Sequence, residues 1–340
     1  MERLVSCDAT LLVRALHDSE SVTRLDGRGW TALIAMARAE QLIGTLAHRL
    51  DGIVMPAAAA RILADARGSA VEQRRTAVWE AEAARRALAG VDTPVVLLKG
   101  TAYAAAGLAA GQGRSIGDLD ILVPRESLDD VERALLDAGW EWVKPDPYDD
   151  AYYRRWMHEL PPLIHRERDR MIDVHHTILP LTARVTPDAE ALIADSIALE
   201  NGLRALSPED MICHAAAHLF ADGDLAGGLR NLWDIHCLIG EFGVAGLVDR
   251  ARRHGLSAAV ARAARLAHAL YATPVPERWR TLDYADRLYR RRLLARDGWG
   301  QPTRRMTRFG FYLRSHWLRM PPAMLARHLW TKWRKGYRPV

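Results

Sequence analysis

Residues 95–123 read Val-Val-Leu-Leu-Lys-Gly-Thr-Ala-Tyr-Ala-Ala-Ala-Gly-Leu-Ala-Ala-Gly-Gln-Gly-Arg-Ser-Ile-Gly-Asp-Leu-Asp-Ile-Leu-Val, and their pattern sets the expected fold. Two short apolar runs bracket a small-residue stretch. The pattern predicts a strand at 95–98, a turn at Lys99-Gly100-Thr101, an Ala-rich helix at 102–110 and a second strand at 119–123. Asp118 and Asp120 stand two apart at the head of the second strand, so their side chains face the same way. Two carboxylates on one face repel each other unless a cation lies between them. Hard oxygen ligands suit magnesium, the usual companion of nucleotide phosphates.

Three reaction classes use an Asp-x-Asp. In haloacid-dehalogenase-type phosphatases the apolar strand precedes the pair, whereas here Ile121-Leu122-Val123 follows it and the loop-like Gln112-Gly113-Arg114-Ser115 precedes it. A metal-dependent glycosyltransferase usually places the pair after a long nucleotide-sugar-binding region, and only mostly helical pattern lies upstream here. The order strand, glycine turn, helix, strand with Asp pair resembles the polymerase-β-type nucleotidyltransferases. Within them, the Leu-Lys-Gly block, the Arg ahead of Asp-x-Asp-hydrophobic-Leu-Val and the later Asp-x-His (Asp173-Val174-His175) resemble an uncharacterised bacterial nucleotidyltransferase-like family. The resemblance spans about residues 95–180 and extends more weakly into 228–236.

The resemblance implies a third metal-binding carboxylate, and Asp173 fits. It lies in a run at 171–177 that pairs in the sequence pattern with another at 160–165 across the charged turn Arg166-Glu167-Arg168-Asp169-Arg170. His175 shares the face of Asp173. The resemblance further implies that Asp118, Asp120 and Asp173 bind two Mg2+ ions and catalyse transfer of a nucleoside monophosphate from an NTP to a hydroxyl acceptor. The triphosphate would rest on Gly100 and Thr101 at a helix start, with Lys99 and Arg114 contacting phosphates. Alanine at Asp118 or Asp120 is expected to abolish transfer and leave folding intact. The rival from another class is a non-catalytic binding protein that keeps the scaffold and holds a membrane or nucleic acid through its basic tail.

The expected fold class is α+β: a small mixed nucleotidyltransferase sheet with flanking helices, set between N-terminal helices and a helical C-terminal region. The segments are 1–90 (helical), 91–182 (catalytic core), 183–275 (helical) and 276–340 (basic, Trp/Arg-rich). Residues 71–89 form a solvated helix feeding the first strand, and no function is assigned to it. Thr186-Pro187-Asp188 and Ser207-Pro208-Glu209-Asp210 are helix starts. His214 and His218 lie four apart on one helix with His236 on the next. Lacking an adjacent Glu, they read as a core stripe or a wall of the nucleotide cleft rather than as zinc ligands. Arg230 and Asp234, at i and i+4, read as an ordinary helix ion pair or as an acceptor-site contact.

The chain has 340 residues, 49% hydrophobic and 26% charged, enough to bury a full core. Residues 276–340 hold 17 Lys and Arg against 4 Asp and Glu, a net of +13, which leaves −8 on residues 1–275. Tryptophans interleave with these basic residues. Residues 304–338 are therefore read as docking on the acidic remainder of the chain, as a peripheral membrane contact or as an RNA contact. No apolar run reaches the ~20 residues of a membrane span, and the N-terminus lacks a leader pattern, so the expected location is cytoplasmic. Cys7, Cys213 and Cys237 have no metal-type spacing and read as reduced thiols.

Overall fold

The computed structural model describes residues 7–200, 202–221 and 224–319, together with Trp330 and Arg334. Its architecture is α+β, as the sequence pattern predicts. Seven strands form one mixed sheet: β1 (Val96–Leu97), β2 (Leu119–Leu122), β3 (Trp140–Trp142), β4 (Leu163–His165), β5 (Met171–His175), β6 (Ile197–Ala198) and β7 (Arg204–Ala205), in spatial order β3-β4-β5-β2-β1-β7-β6. Every residue of β2 is buried, with helices Ala57–Ala87 and Lys99–Ala105 packed near it.

The pairings explain how distant residues meet. β1 and β2 are antiparallel, with Leu97 opposite Ile121. β2 and β5 are parallel, and their register sets Asp120 directly beside Asp173. β4 and β5 form the expected hairpin, with Leu163 opposite Ile172. The strand predicted at 160–165 begins only at Leu163, because Pro161 and Pro162 have no N–H to give to a ladder. Leu160 instead donates its N–H to the Val174 carbonyl at 2.9 Å.

The predicted turn at 99–101 is instead the first turn of a helix, Lys99–Ala105. The reversal is concentrated at Lys99, whose φ of +48° bends the chain out of β1 and straight into that helix. A non-glycine residue there carries strain, which neighbouring contacts must offset. The helix ends at Ala105 rather than at 110, and a short 3-10 turn, Ala109–Gly111, follows.

The N-terminal region supplies helices Gly27–Ala39 and Ile43–Arg49 and the 31-residue helix Ala57–Ala87. The last of these also braces the central region: Gln73 Oε1 accepts from the Ile116 N–H at 3.3 Å, and Arg74 donates to the Ala104 carbonyl at 3.2 Å. The helix starts read at 186–188 and 207–210 are realised as Ala189–Ala194, capped by Asp188 through the Ala191 N–H, and Pro208–Ala221. Helices Gly228–Phe242, Leu247–Arg253 and Ser257–Tyr271 complete that region.

The described part of the basic region docks on the rest of the chain. Arg296 pairs with the buried Glu40 at 2.7 Å and Arg304 with Asp8 at 2.9 Å. Phe311, on helix Arg305–Arg319, packs edge-on against Tyr289 at 4.9 Å between ring centroids. Residues 320–329, 331–333 and 335–340, part of the stretch read as a membrane or RNA contact, lie outside the described residues. Among the described residues no helix is long and apolar enough to cross a membrane. All three cysteines are free thiols.

Candidate active site

Asp118, Asp120 and Asp173 converge, each offering a carboxylate oxygen within 4.8 Å of the others. Asp118 sits just ahead of β2 and is exposed, Asp120 is buried within the strand at 3% exposure, and Asp173 is half-buried on β5. Strand period places the first two on one face, and the parallel register brings the third alongside. Three hard oxygen donors at this spacing fit a divalent cation of the magnesium class.

The electrostatics distinguish the three acids. Burial alone would raise the Asp120 pKa. The Lys99 ammonium, 2.6 Å from Oδ1, and the His175 imidazole, 3.0 Å from the same oxygen, outweigh burial and hold it well below the usual carboxylate range. Lys99 is held protonated in return: burial would lower its pKa, but Asp120 raises it above the ordinary value. Asp173 goes the other way. Burial and the negative charges of Asp120 and Asp118 push its carboxyl up to about 7.

A prediction follows from Asp173. Between the ordinary Asp pKa and about 7, the metal-free folded chain binds a proton that the unfolded chain does not, so its stability falls as pH rises through that window and levels off above it. A divalent cation must displace that proton. Isothermal titration of Mg2+ is therefore expected to show affinity weakening by about tenfold per pH unit below 7 and little change above it. Asp173→Asn should flatten the slope.

Gly100 and Thr101 lie in the first turn of helix Lys99–Ala105, and both are buried. The Thr101 hydroxyl points to the Asp118 carbonyl at 3.5 Å. Gly100 is required sterically, since a Cβ there would lie 1.8 Å from Arg114 Nη1. Arg114 cannot easily move aside: it is 6% exposed, its Nε donates to Asp234 at 3.1 Å, and its guanidinium lies 5.6 Å from the Tyr103 ring centroid. Gly100→Ala is accordingly expected to cost about 1–3 kcal/mol, the range for overpacking a filled interior, measured by denaturant unfolding.

The loop that carries Arg114 is fixed from the N-terminal side as well. Gly113, at φ +65°, and Gly44 meet backbone to backbone, and a Cβ on Gly113 would stand 2.3 Å from the Gly44 carbonyl oxygen. The N-terminal helices thus brace the loop that carries Arg114, a contact that periodicity in the sequence could not reveal.

Asp234 pairs with Arg114 across the fold rather than with Arg230, which donates to the Ser115 carbonyl at 3.1 Å. The expected i, i+4 ion pair is therefore corrected: two cations compete for one carboxylate, and Arg114 takes it. His214 and His218 line a small pocket with Lys99, Arg114, Asn231 and Asp234, beside the acidic clamp. His236 Nδ1 lies 2.8 Å from the Thr273 hydroxyl. The residues missed by sequence reasoning are His158 and Glu159, which pack on His175 from the loop before β4; two adjacent polar residues after a helix carry no signal of that contact.

The parallel pairing of β2 and β5 brings three carboxylates together at a spacing that suits a divalent cation. The chain belongs to the family described as uncharacterised nucleotidyltransferase, which matches residues 26–272. Among solved structures, the chain is similar to that of JHP933 from Helicobacter pylori, at 16% identity over 66% of this chain and 93% of that one, with a TM-score of 0.33. Comparison with curated proteins returned no match.

Proposed function

We propose that the protein is a nucleotidyltransferase of the polymerase-β type, which moves a nucleoside monophosphate from an NTP to an acceptor hydroxyl and releases pyrophosphate. The observation that carries this reading is the convergence of Asp118, Asp120 and Asp173 within 4.8 Å, inside a chain of a nucleotidyltransferase family.

The three carboxylates would hold magnesium, which when bound polarises the α-phosphate and eases deprotonation of the attacking hydroxyl. Asp120, kept ionised by Lys99 and His175, is a permanent anionic ligand. Asp173, the third carboxylate of the clamp, would help take up the acceptor's proton as the hydroxyl attacks in line. Lys99 and the first turn of its helix, with the Gly100 and Thr101 N–H groups, face the nucleotide phosphates. Arg114, anchored by Asp234 and lying against Gly100, adds positive charge beside that turn.

The test is incubation of purified protein with magnesium, each α-labelled NTP and fractions of small molecules, proteins and RNA. Label transferred by the wild type and not by Asp118→Asn supports the reading. No transfer together with no magnesium-dependent thermal stabilisation by any NTP overturns it and leaves a non-catalytic scaffold.

A further inference from the structure

A second cluster of metal-type ligands lies behind the acidic clamp. His158, Glu159 and His175 each present one ligand atom within 4.8 Å of the other two. His175 Nδ1 is 3.4 Å from Glu159 Oε2, and His158 Nε2 is 3.7 Å from the same oxygen. Ligands at about 2.0–2.1 Å around a tetrahedral ion stand about 3.3–3.4 Å apart, so the spacing is close to that of a formed site.

The backbone holds this arrangement in place. Glu159 and His175 form an antiparallel bridge, and the His176 N–H donates to the His158 carbonyl at 2.9 Å, so the loop after helix Pro147–Trp156 is stitched to the end of β5. The two imidazoles lie 5.1 Å apart between centroids.

His175 supplies the independent observation. Its side chain is 2% exposed, and Nδ1 is buried without a hydrogen-bond partner, aimed at the cluster. Its other nitrogen, Nε2, lies 3.0 Å from Asp120 Oδ1. A ligating histidine commonly donates its second N–H to a carboxylate, which fixes the tautomer and strengthens the ligating nitrogen.

We infer that His158, Glu159 and His175 form a second cation site, selective for a zinc-type transition ion, with Asp120 as the outer hydrogen-bond partner of His175. Two imidazoles and one carboxylate favour such an ion over magnesium, which prefers an all-oxygen shell. His158 and Glu159 are 15% and 19% exposed at their side chains, which leaves the ion a solvent-facing fourth position. An ion there locks His175 as a donor to Asp120 and so couples the two metal sites.

The test uses the full chain, stripped of metal with chelator and returned to excess Mg2+, then titrated with Co2+ alone. The expected result is one equivalent of tightly held Co2+ with visible d–d bands of low-coordinate N/O geometry, displaced by Zn2+, and retained in Asp173→Asn. Loss of an outer partner costs about 10- to 100-fold in affinity, so His158→Ala, which removes a ligand, should weaken Co2+ by more than about 100-fold. The isosteric Glu159→Gln, chosen to preserve folding, should weaken it by about 10-fold or more. Absence of the bands, or bands that survive in Glu159→Gln and vanish in Asp173→Asn, overturns the inference by placing any cobalt in the acidic clamp. The readout does not depend on nucleotidyl transfer, so either reading can fail without the other.

Discussion

Asp118→Asn is expected to lower nucleotidyl transfer by about 10³-fold or more at an unchanged Tm, whereas Asp120→Ala is expected to lose activity and stability together. Removal of one group that stabilises transition-state charge costs about 10²–10³ in turnover, and a metal ligand belongs at or beyond the top of that range. Asp118 is exposed, so its substitution leaves the fold alone. Asp120 has a side chain 4% exposed and compensates Lys99, whose side chain is 24% exposed. Removing one member of such a pair strands the other charge, at about 3 kcal/mol, the low end of the range for buried pairs because Lys99 reaches some solvent. The sequence-based expectation that both substitutions spare the fold is thus divided between the two positions. The double variant Lys99→Met with Asp120→Asn should recover much of the lost stability and none of the turnover. Equal Tm values for Asp120→Ala and wild type would show that the Lys99 pair contributes nothing to folding.

Asp234→Ala is expected to destabilise the chain by about 3–5 kcal/mol, the cost of leaving a buried charge uncompensated. The stranded group is the Arg114 guanidinium, whose side chain is 7% exposed, against 5% for Asp234. This pair ties helix Gly228–Phe242 to the loop ahead of the Asp clamp, so the variant should also raise the KM for nucleotide. Arg114→Lys is not a conservative alternative, because the ammonium cannot both pair through Nε and lie against the Tyr103 ring. Denaturant unfolding of Asp234→Ala beside Arg114→Met with Asp234→Leu checks the argument: the double variant should be far more stable than the single one. If both are equally destabilised, packing and not charge is what the pair supplies.

The clamp was legible because its signals are local. Apolar runs at strand length, a glycine between them and carboxylates at period two mark Asp118 and Asp120, and the family resemblance asks for the third carboxylate that the hairpin pattern offers at Asp173. Helix starts at Asp188 and Ser207 were equally readable, since capping is a property of four adjacent residues. The turn at 99–101 was misread because a single positive φ at Lys99, not a three-residue loop, makes the reversal, and nothing in a Lys-Gly-Thr sequence says which residue takes it. The pairing of Asp234 was misread because helical spacing offers Arg230, while the residue that takes it lies 120 positions away.

The sequence by itself determined the α+β class, the strands that carry the acids and the three carboxylates, because backbone periodicity and side-chain chemistry are written in neighbouring residues. Only the tertiary structure decided what each buried charge meets: Lys99 and His175 on Asp120, Asp234 on Arg114, and the meeting of His158 and Glu159 with His175. A buried ion takes the partner that packing delivers to it, and packing is settled by the sheet order and the helices laid across it, which no stretch of sequence contains alone.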